Sequence, residues 1–220
     1  MTKSMKNLLW NITWLILRPL LVVFCRFRIK GAKNIKEFKK PCILAIATHS
    51  HILDSYIVGA AMPYNCHLYP IRYMTKDSFF KIPIIKYIIG AYGAFPVARG
   101  IGIEKSIKPA TELTKCGETV GIFLEGKISK KGEIREGKPG AAALALATGL
   151  PVVPVALQGT HQIRNPLKFL FLQRKIIVSF GKPIFAQDFK LPSNPKSGNK
   201  KAIGKFTKII MDKIKQLYFA

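Results

Sequence analysis

The chain is short of acid. Eleven Asp and Glu stand against 36 Lys and Arg, a net charge of +25 over 220 residues. Such a surplus seeks polyanions: nucleic acid, anionic lipid headgroups or phosphorylated substrates. Cysteine is also scarce. Cys25, Cys42, Cys66 and Cys116 lie far apart and form no C-x-x-C pair, which gives no support to a zinc or redox centre. Reduced thiols in a cytosolic compartment are the expected state. No internal repeat or low-complexity tract is present. Hydrophobic residues at 49% and charged residues at 21% are not the composition of a disordered chain. The length suits one large domain with a real core.

A long uninterrupted apolar run is missing as well. Leu8 to Phe27 is apolar, but Asn11, Arg18 and Pro19 interrupt it. Its uncharged stretch, Leu8 to Leu17, falls well short of the ~20 residues a spanning helix needs. No small-residue cleavage site follows, and Arg26, Arg28, Lys30 and Lys33 come next, which argues against a signal peptide. The pattern predicts an interfacial or re-entrant helix pair broken at Arg18-Pro19. Trp10 and Trp14 share one helical face and suit a headgroup boundary. A core helix with two packed tryptophans is the competing reading.

Further along, strands alternate with helices. Strands are predicted over Ile43–Ala47, Cys66–Ile71, Gly93–Val97, Thr119–Leu124, Val152–Leu157 and Lys175–Phe180. Helices are predicted over Asp54–Ala61, Asp77–Ile89 with a break near Pro83, Glu104–Cys116, and Pro139–Thr148 stopped by Gly149. This alternation indicates an α/β domain: a mostly parallel central sheet flanked by helices. In Lys200–Phe219, Ile203, Phe206, Ile210, Ile214 and Leu217 define one apolar helical face and lysines fill the rest. That helix either docks on the domain or meets a membrane surface.

Four short blocks carry chemistry. His49-Ser50-His51-Ile52-Leu53-Asp54 follows the apolar strand Ile43–Ala47. A His paired with an Asp makes a general base, because the carboxylate fixes the tautomer and stabilises the imidazolium. Spacing alone leaves His51 as a competing base, and Asp54 also fits a helix cap. The second block, Gly93 to Gly100, ends a short apolar strand at Arg99, a suitable place to hold a phosphate by a bidentate contact. The third, Phe123 to Ser129, places Glu125, Gly126 and Lys127 just after a strand. Glu125 has the chemistry to bind a substrate hydroxyl, and Gly126 lets substrate approach the backbone; an ordinary hairpin turn is the plain alternative. The fourth, Pro151 to Val155, reads as a strand near a sheet edge or a tunnel wall.

In order, type and spacing the four blocks resemble the glycerolipid acyltransferase family, most of all the 1-acylglycerol-3-phosphate (lysophosphatidic acid) acyltransferases. The resemblance covers roughly residues 35 to 185. An H-x-x-x-x-D signature is matched by His49 and Asp54, and a Gly-apolar-Arg strand by Gly93 to Arg99. An F-x-E-G-x-x-S block is matched by Phe123, Glu125, Gly126 and Ser129, and the proline-bearing strand by Pro151 to Val155. The register favours His49 over His51. Lys76 matches the lysine the family tends to carry ahead of its second block. The chain departs from the pattern at Thr48, His51, Leu124 and Ile128. Ile128 stands where the family carries an arginine, associated with the glycerol phosphate.

The resemblance implies acyl transfer from acyl-CoA or acyl carrier protein to a lysophospholipid hydroxyl, with His49 as base and Asp54 as its orienting partner. Lys76, Arg99 and Lys127 are implied as phosphate ligands, Glu125 and Gly126 as further substrate contacts. No metal and no cofactor are expected beyond the thioester donor. The implied organisation is a membrane-associating segment over residues 1–34 and an acyltransferase domain over 35–220, ending in the basic amphipathic helix 200–219. Anionic membrane lipids are the expected partners, and the cytoplasmic face of a membrane the expected place. A nucleic-acid role fits poorly, because the basic residues are dispersed and no familiar nucleic-acid motif is present.

Overall fold

The computed structural model describes residues 2–36, 41–98, 100–129, 131–164, 175–191 and 199–220. At the centre lies β2 (Ile43–Ala47), buried along its whole length. It pairs in parallel with β5 (Thr119–Phe123) on one side and β6 (Val152–Gln158) on the other. Beyond β5 come β3 (Ile71–Lys76) and the edge strand β4 (Phe95–Val97), both parallel. Beyond β6 come β7 (Ile177–Phe180), antiparallel to β6, and the edge strand β1 (Arg28–Lys30), parallel to β7. The seven-stranded order is β1-β7-β6-β2-β5-β3-β4.

Continuous apolar runs such as Ile43–Ala47 arise because both sheet faces are covered. Alternate side chains of β2 serve different layers. Ile43, Ala45 and Ala47 join a core with α5 (Ile103–Lys115), α6 (Gly140–Thr148) and α7 (Lys200–Phe219). Leu44 and Ile46 join a second core with α1 (Lys3–Cys25) and α3 (Asp54–Ala61). The one-turn α2 is Lys33–Lys36, and α4 is Pro83–Ala91. Ala141 to Leu146 are all buried, so α6 is apolar all round because both of its flanks are covered. In α7, Ile203, Phe206, Ile210 and Ile214 form the buried stripe read from the sequence.

Four expectations need correction. The N-terminal segment is one continuous 23-residue helix, with Pro19 inside it. Tertiary contacts override the break. Trp14 Nε1 donates to the Met62 carbonyl at 2.8 Å, and Arg18 Nη1 reaches the Ala60 carbonyl at 3.4 Å. Arg18 therefore lies along the C-terminal end of α3, where a cation complements the helix dipole, and stacks 4.8 Å over the Trp14 ring.

Trp10 is not at a headgroup boundary; it is buried between α1 and the sheet, stacked on Tyr69 at 5.6 Å. Gly59 of α3 makes room for it, since a β-carbon there would sit 2.1 Å from Trp10 Cζ3. Cys66–Pro70 is not a strand; β3 begins only at Ile71, because Pro70 lacks the N–H a ladder needs and Tyr69 turns its hydroxyl to the Gly59 carbonyl at 2.7 Å. Finally, β6 is an inner strand rather than one near an edge. Its Pro154 is accommodated because the carbonyl faces β7 and accepts from Gly181 N–H at 2.8 Å, just past the last paired residue, Val155.

Candidate functional site

The site opens at the carboxyl end of β2, where open α/β sheets leave a crevice. His49 lies two residues past the end of the strand and Asp54 begins α3. His49 Nδ1 lies 2.9 Å from Asp54 Oδ2. The same oxygen accepts the Ser50 N–H at 2.6 Å and the His51 N–H at 2.9 Å. Asp54 is wholly buried, while 21% of the His49 side chain stays exposed. Turn closure and pairing are therefore one arrangement: the carboxylate closes the turn before α3 and holds the imidazole. With Nδ1–H donating to Asp54, the lone pair sits on Nε2. The His51 ring is used locally, its Nδ1 accepting from Leu53 N–H at 3.2 Å.

Two further contacts fix His49. Its ring stacks on Phe123, the last residue of β5, at 4.1 Å and 24°. Its carbonyl accepts the N–H of buried Ser129 at 2.6 Å, which folds the segment after β5 back against it. Glu125 lies on this return. Burial pushes its carboxyl above the ordinary glutamate range, against the opposing pull of the Arg135 and His49 amides. Its Oε1 accepts the Arg135 N–H at 3.4 Å, and its Oε2 is buried without a partner among the described residues. Sequence reasoning assigned it to a substrate hydroxyl; the structure buries it close to His49.

The cavity that His49 faces measures about 570 Å³, within the range of small-molecule sites. Lys76, Gly126 and Lys127 line it alongside His49, as does Ile128. Arg99 lies outside the described residues. Most of the remaining wall is apolar: Trp10, Tyr73, Met74, Phe79 and the α4 residues Ile85, Ile88 and Ile89. Sequence reasoning missed this wall, which the fold gathers from α1, β3 and α4. It also missed Lys138, whose side chain lies across Gly126; a lysine twelve positions on, beyond a loop, carries no local signal. A base with a free nitrogen at the end of a long apolar hollow is suited to taking a proton from a hydroxyl on an amphiphilic substrate.

Residues 26–158 match the family model described as Acyltransferase. A 1-acyl-sn-glycerol-3-phosphate acyltransferase of Bacillus subtilis is 33% identical over 172 residues, 77% of this chain and 78% of that protein. The chloroplastic 1-acyl-sn-glycerol-3-phosphate acyltransferase BAT2 of Brassica napus is 32% identical over 143 residues, 64% of this chain. This chain spans only 39% of the length of that relative and 38% of its Arabidopsis thaliana counterpart LPAT1. The crystal structure of the 1-acyl-sn-glycerophosphate (LPA) acyltransferase PlsC from Thermotoga maritima superposes with a TM-score of 0.65. The two are 19% identical over 96% of this chain and 79% of that one, which shows a shared fold.

Proposed function

This chain belongs to the acyltransferase family, and on that footing we propose that it acylates the free hydroxyl of 1-acylglycerol 3-phosphate from acyl-CoA or acyl carrier protein, giving phosphatidic acid. The observation that carries the reading is His49: its Nδ1 is held by buried Asp54 and its ring faces an apolar cavity. Nε2 takes the proton of the acceptor hydroxyl while the oxygen attacks the thioester carbonyl. The tetrahedral intermediate collapses, the C–S bond breaks, and the thiolate leaves with the proton returned from the imidazolium. Asp54 stabilises that imidazolium. The apolar wall holds acyl chain, and Lys76 and Lys127 bring positive charge to the same cavity.

Mass spectrometry of the purified chain with a panel of lysolipids and both donor types tests this. Phosphatidic acid formed from 1-acylglycerol 3-phosphate is the expected result; no acyl transfer to any lysolipid would overturn it. A related acceptor is the second reading, favoured by Ile128 in place of arginine, and the same panel separates the two.

The membrane is part of the proposal. By length and composition α1 is able to cross one, yet Trp10, Leu21 and Cys25 tie it to the domain. We read it as lying in the cytoplasmic face of a bilayer, a monotopic attachment. Its outer face exposes Leu8, Ile12, Ile16, Leu20 and Val23, and α4 exposes Ile84, Tyr87 and Ile88. Thr13 and Tyr92 hydroxyls, 2.7 Å apart, join the two helices. Ile88 belongs to both the outer surface and the cavity wall, so lipid has an apolar path inward. Surface lysines would add about 1 kcal/mol each on an anionic bilayer.

The double variant Ile16→Glu/Val23→Glu is expected to lose flotation with anionic vesicles while keeping its rate on detergent-dispersed acceptor. Unchanged flotation would sink the role of α1. Deleting the helix is a poor test, because it strips Trp10 from the core.

A further inference from the structure

We propose that Lys138 supplies the charge missing at Ile128, its ammonium group holding the phosphate of the acyl acceptor. The inference rests on the acceptor reading above and deepens it.

Three observations carry it. First, Lys138 is set firmly at the site. Its N–H donates to the Leu124 carbonyl at 2.8 Å, tying it to the end of β5, and α6 starts two residues later. Second, its stem lies flat across Gly126. A β-carbon on Gly126 would stand 3.0 Å from Lys138 Cδ, 3.1 Å from Nζ and 3.2 Å from Cε. Gly126 lines the His49 cavity, so the ammonium lies against a residue of the cavity wall. Gly126 also has φ +61°, so backbone and neighbour both require glycine there. Third, the charge is uncommitted to a carboxylate. Among the described residues the ion pairs are His49–Asp54 and Arg72–Glu118.

Ile128 shows where the departure from the family pattern falls. It lines the same cavity and is 42% exposed, so an arginine at that position would point its fork at the same ligand. Instead Lys76 comes from the end of β3, and Lys138 crosses the Gly126 turn. With Lys127 beside them, point charges from different elements replace one planar fork. Such a cluster recognises a phosphate monoester by charge rather than by bidentate geometry.

The test uses the full chain, acyl-CoA and two acceptors: 1-acylglycerol 3-phosphate and the same lipid lacking phosphate, a monoacylglycerol. Lys138→Ala is expected to raise KM for the phosphate acceptor by ~10–100-fold, the range for a hydrogen bond to a charged group. Its kcat, and its slow rate on monoacylglycerol, should hardly move. Lys138→Arg should retain function, and Lys138→Ala/Ile128→Arg should regain most of it. Lys138→Glu should reject the phosphate acceptor alone. Equal losses on both acceptors, or no loss on either, would overturn the role of Lys138. A wild-type chain that acylates neither acceptor would instead overturn the parent reading, and this one with it.

Discussion

Replacing His49 with alanine should reduce acyl transfer by ~10²–10⁴-fold, the usual contribution of a general base, with little change in thermal unfolding. The asymmetry follows from the hydrogen bonds. Asp54 Oδ2 keeps two amide donors, Ser50 N–H and His51 N–H, when the imidazole goes. Oδ2 of the buried carboxylate is still satisfied and the turn before α3 still closed.

Asp54→Ala should behave differently. It strands those two amides and frees the imidazole, so rate and stability fall together; a hydrogen bond to a charged group is worth roughly 1.5–3 kcal/mol. His51→Ala should be close to wild type, because its N–H to Asp54 survives and its ring's bond to Leu53 N–H is local to the turn. Initial rates with acyl-CoA and 1-acylglycerol 3-phosphate, beside melting temperatures, read all three. A His49→Ala enzyme retaining most of its rate, or a His51→Ala enzyme losing it, would reassign the base.

The legible parts of this protein are local. His49 and Asp54 are five positions apart, joined by a turn that one carboxylate can close, so the pairing is visible in the sequence. The continuous apolar run Ile43–Ala47 marks a strand covered on both faces, and Ala141–Leu146 marks a helix sunk in a layer. What escapes reading is decided by partners far away. Arg18-Pro19 punctuates α1 locally, but the carbonyls of Ala60 and Met62 recruit Arg18 and Trp14 and hold the helix whole. Arg28–Lys30 has no apolar run to mark it as a strand, and its arginine and lysine are both exposed. It becomes a strand only when β7 offers its free edge. Glu125 has the type and place of a substrate ligand, but its burial and its bond to the Arg135 N–H, ten positions on, show only in the fold. Type and spacing find the His49–Asp54 pair; they do not say which neighbours line the cavity.

The largest stability loss is expected from Trp10→Ala, at about 3–5 kcal/mol. At this chain length each kcal/mol lowers the melting temperature by roughly 2–4 °C. Trp10 is 1% exposed. Its ring stacks on Tyr69, meets Tyr92 edge-on at 5.3 Å and lies near Tyr56 and Tyr73, each 6.1 Å away. Its Nε1–H donates to the Tyr92 carbonyl at 3.3 Å. The alanine variant would open a void that Gly59 across the interface is too small to fill, and would strand the Tyr92 carbonyl. Trp14 is the internal comparison. It is half-buried, with one hydrogen bond to Met62, one tilted contact to Tyr64 and the Arg18 cation over its ring. Its loss should cost clearly less. Two headgroup tryptophans would instead lose vesicle binding equally and leave melting untouched, so the pair of variants separates the two pictures. Because Trp10 also lines the cavity, Trp10→Phe should recover much of the stability yet shift the preferred acyl-chain length. Stability and substrate fit meet in that one side chain: α1 closes the same apolar hollow that it helps to anchor.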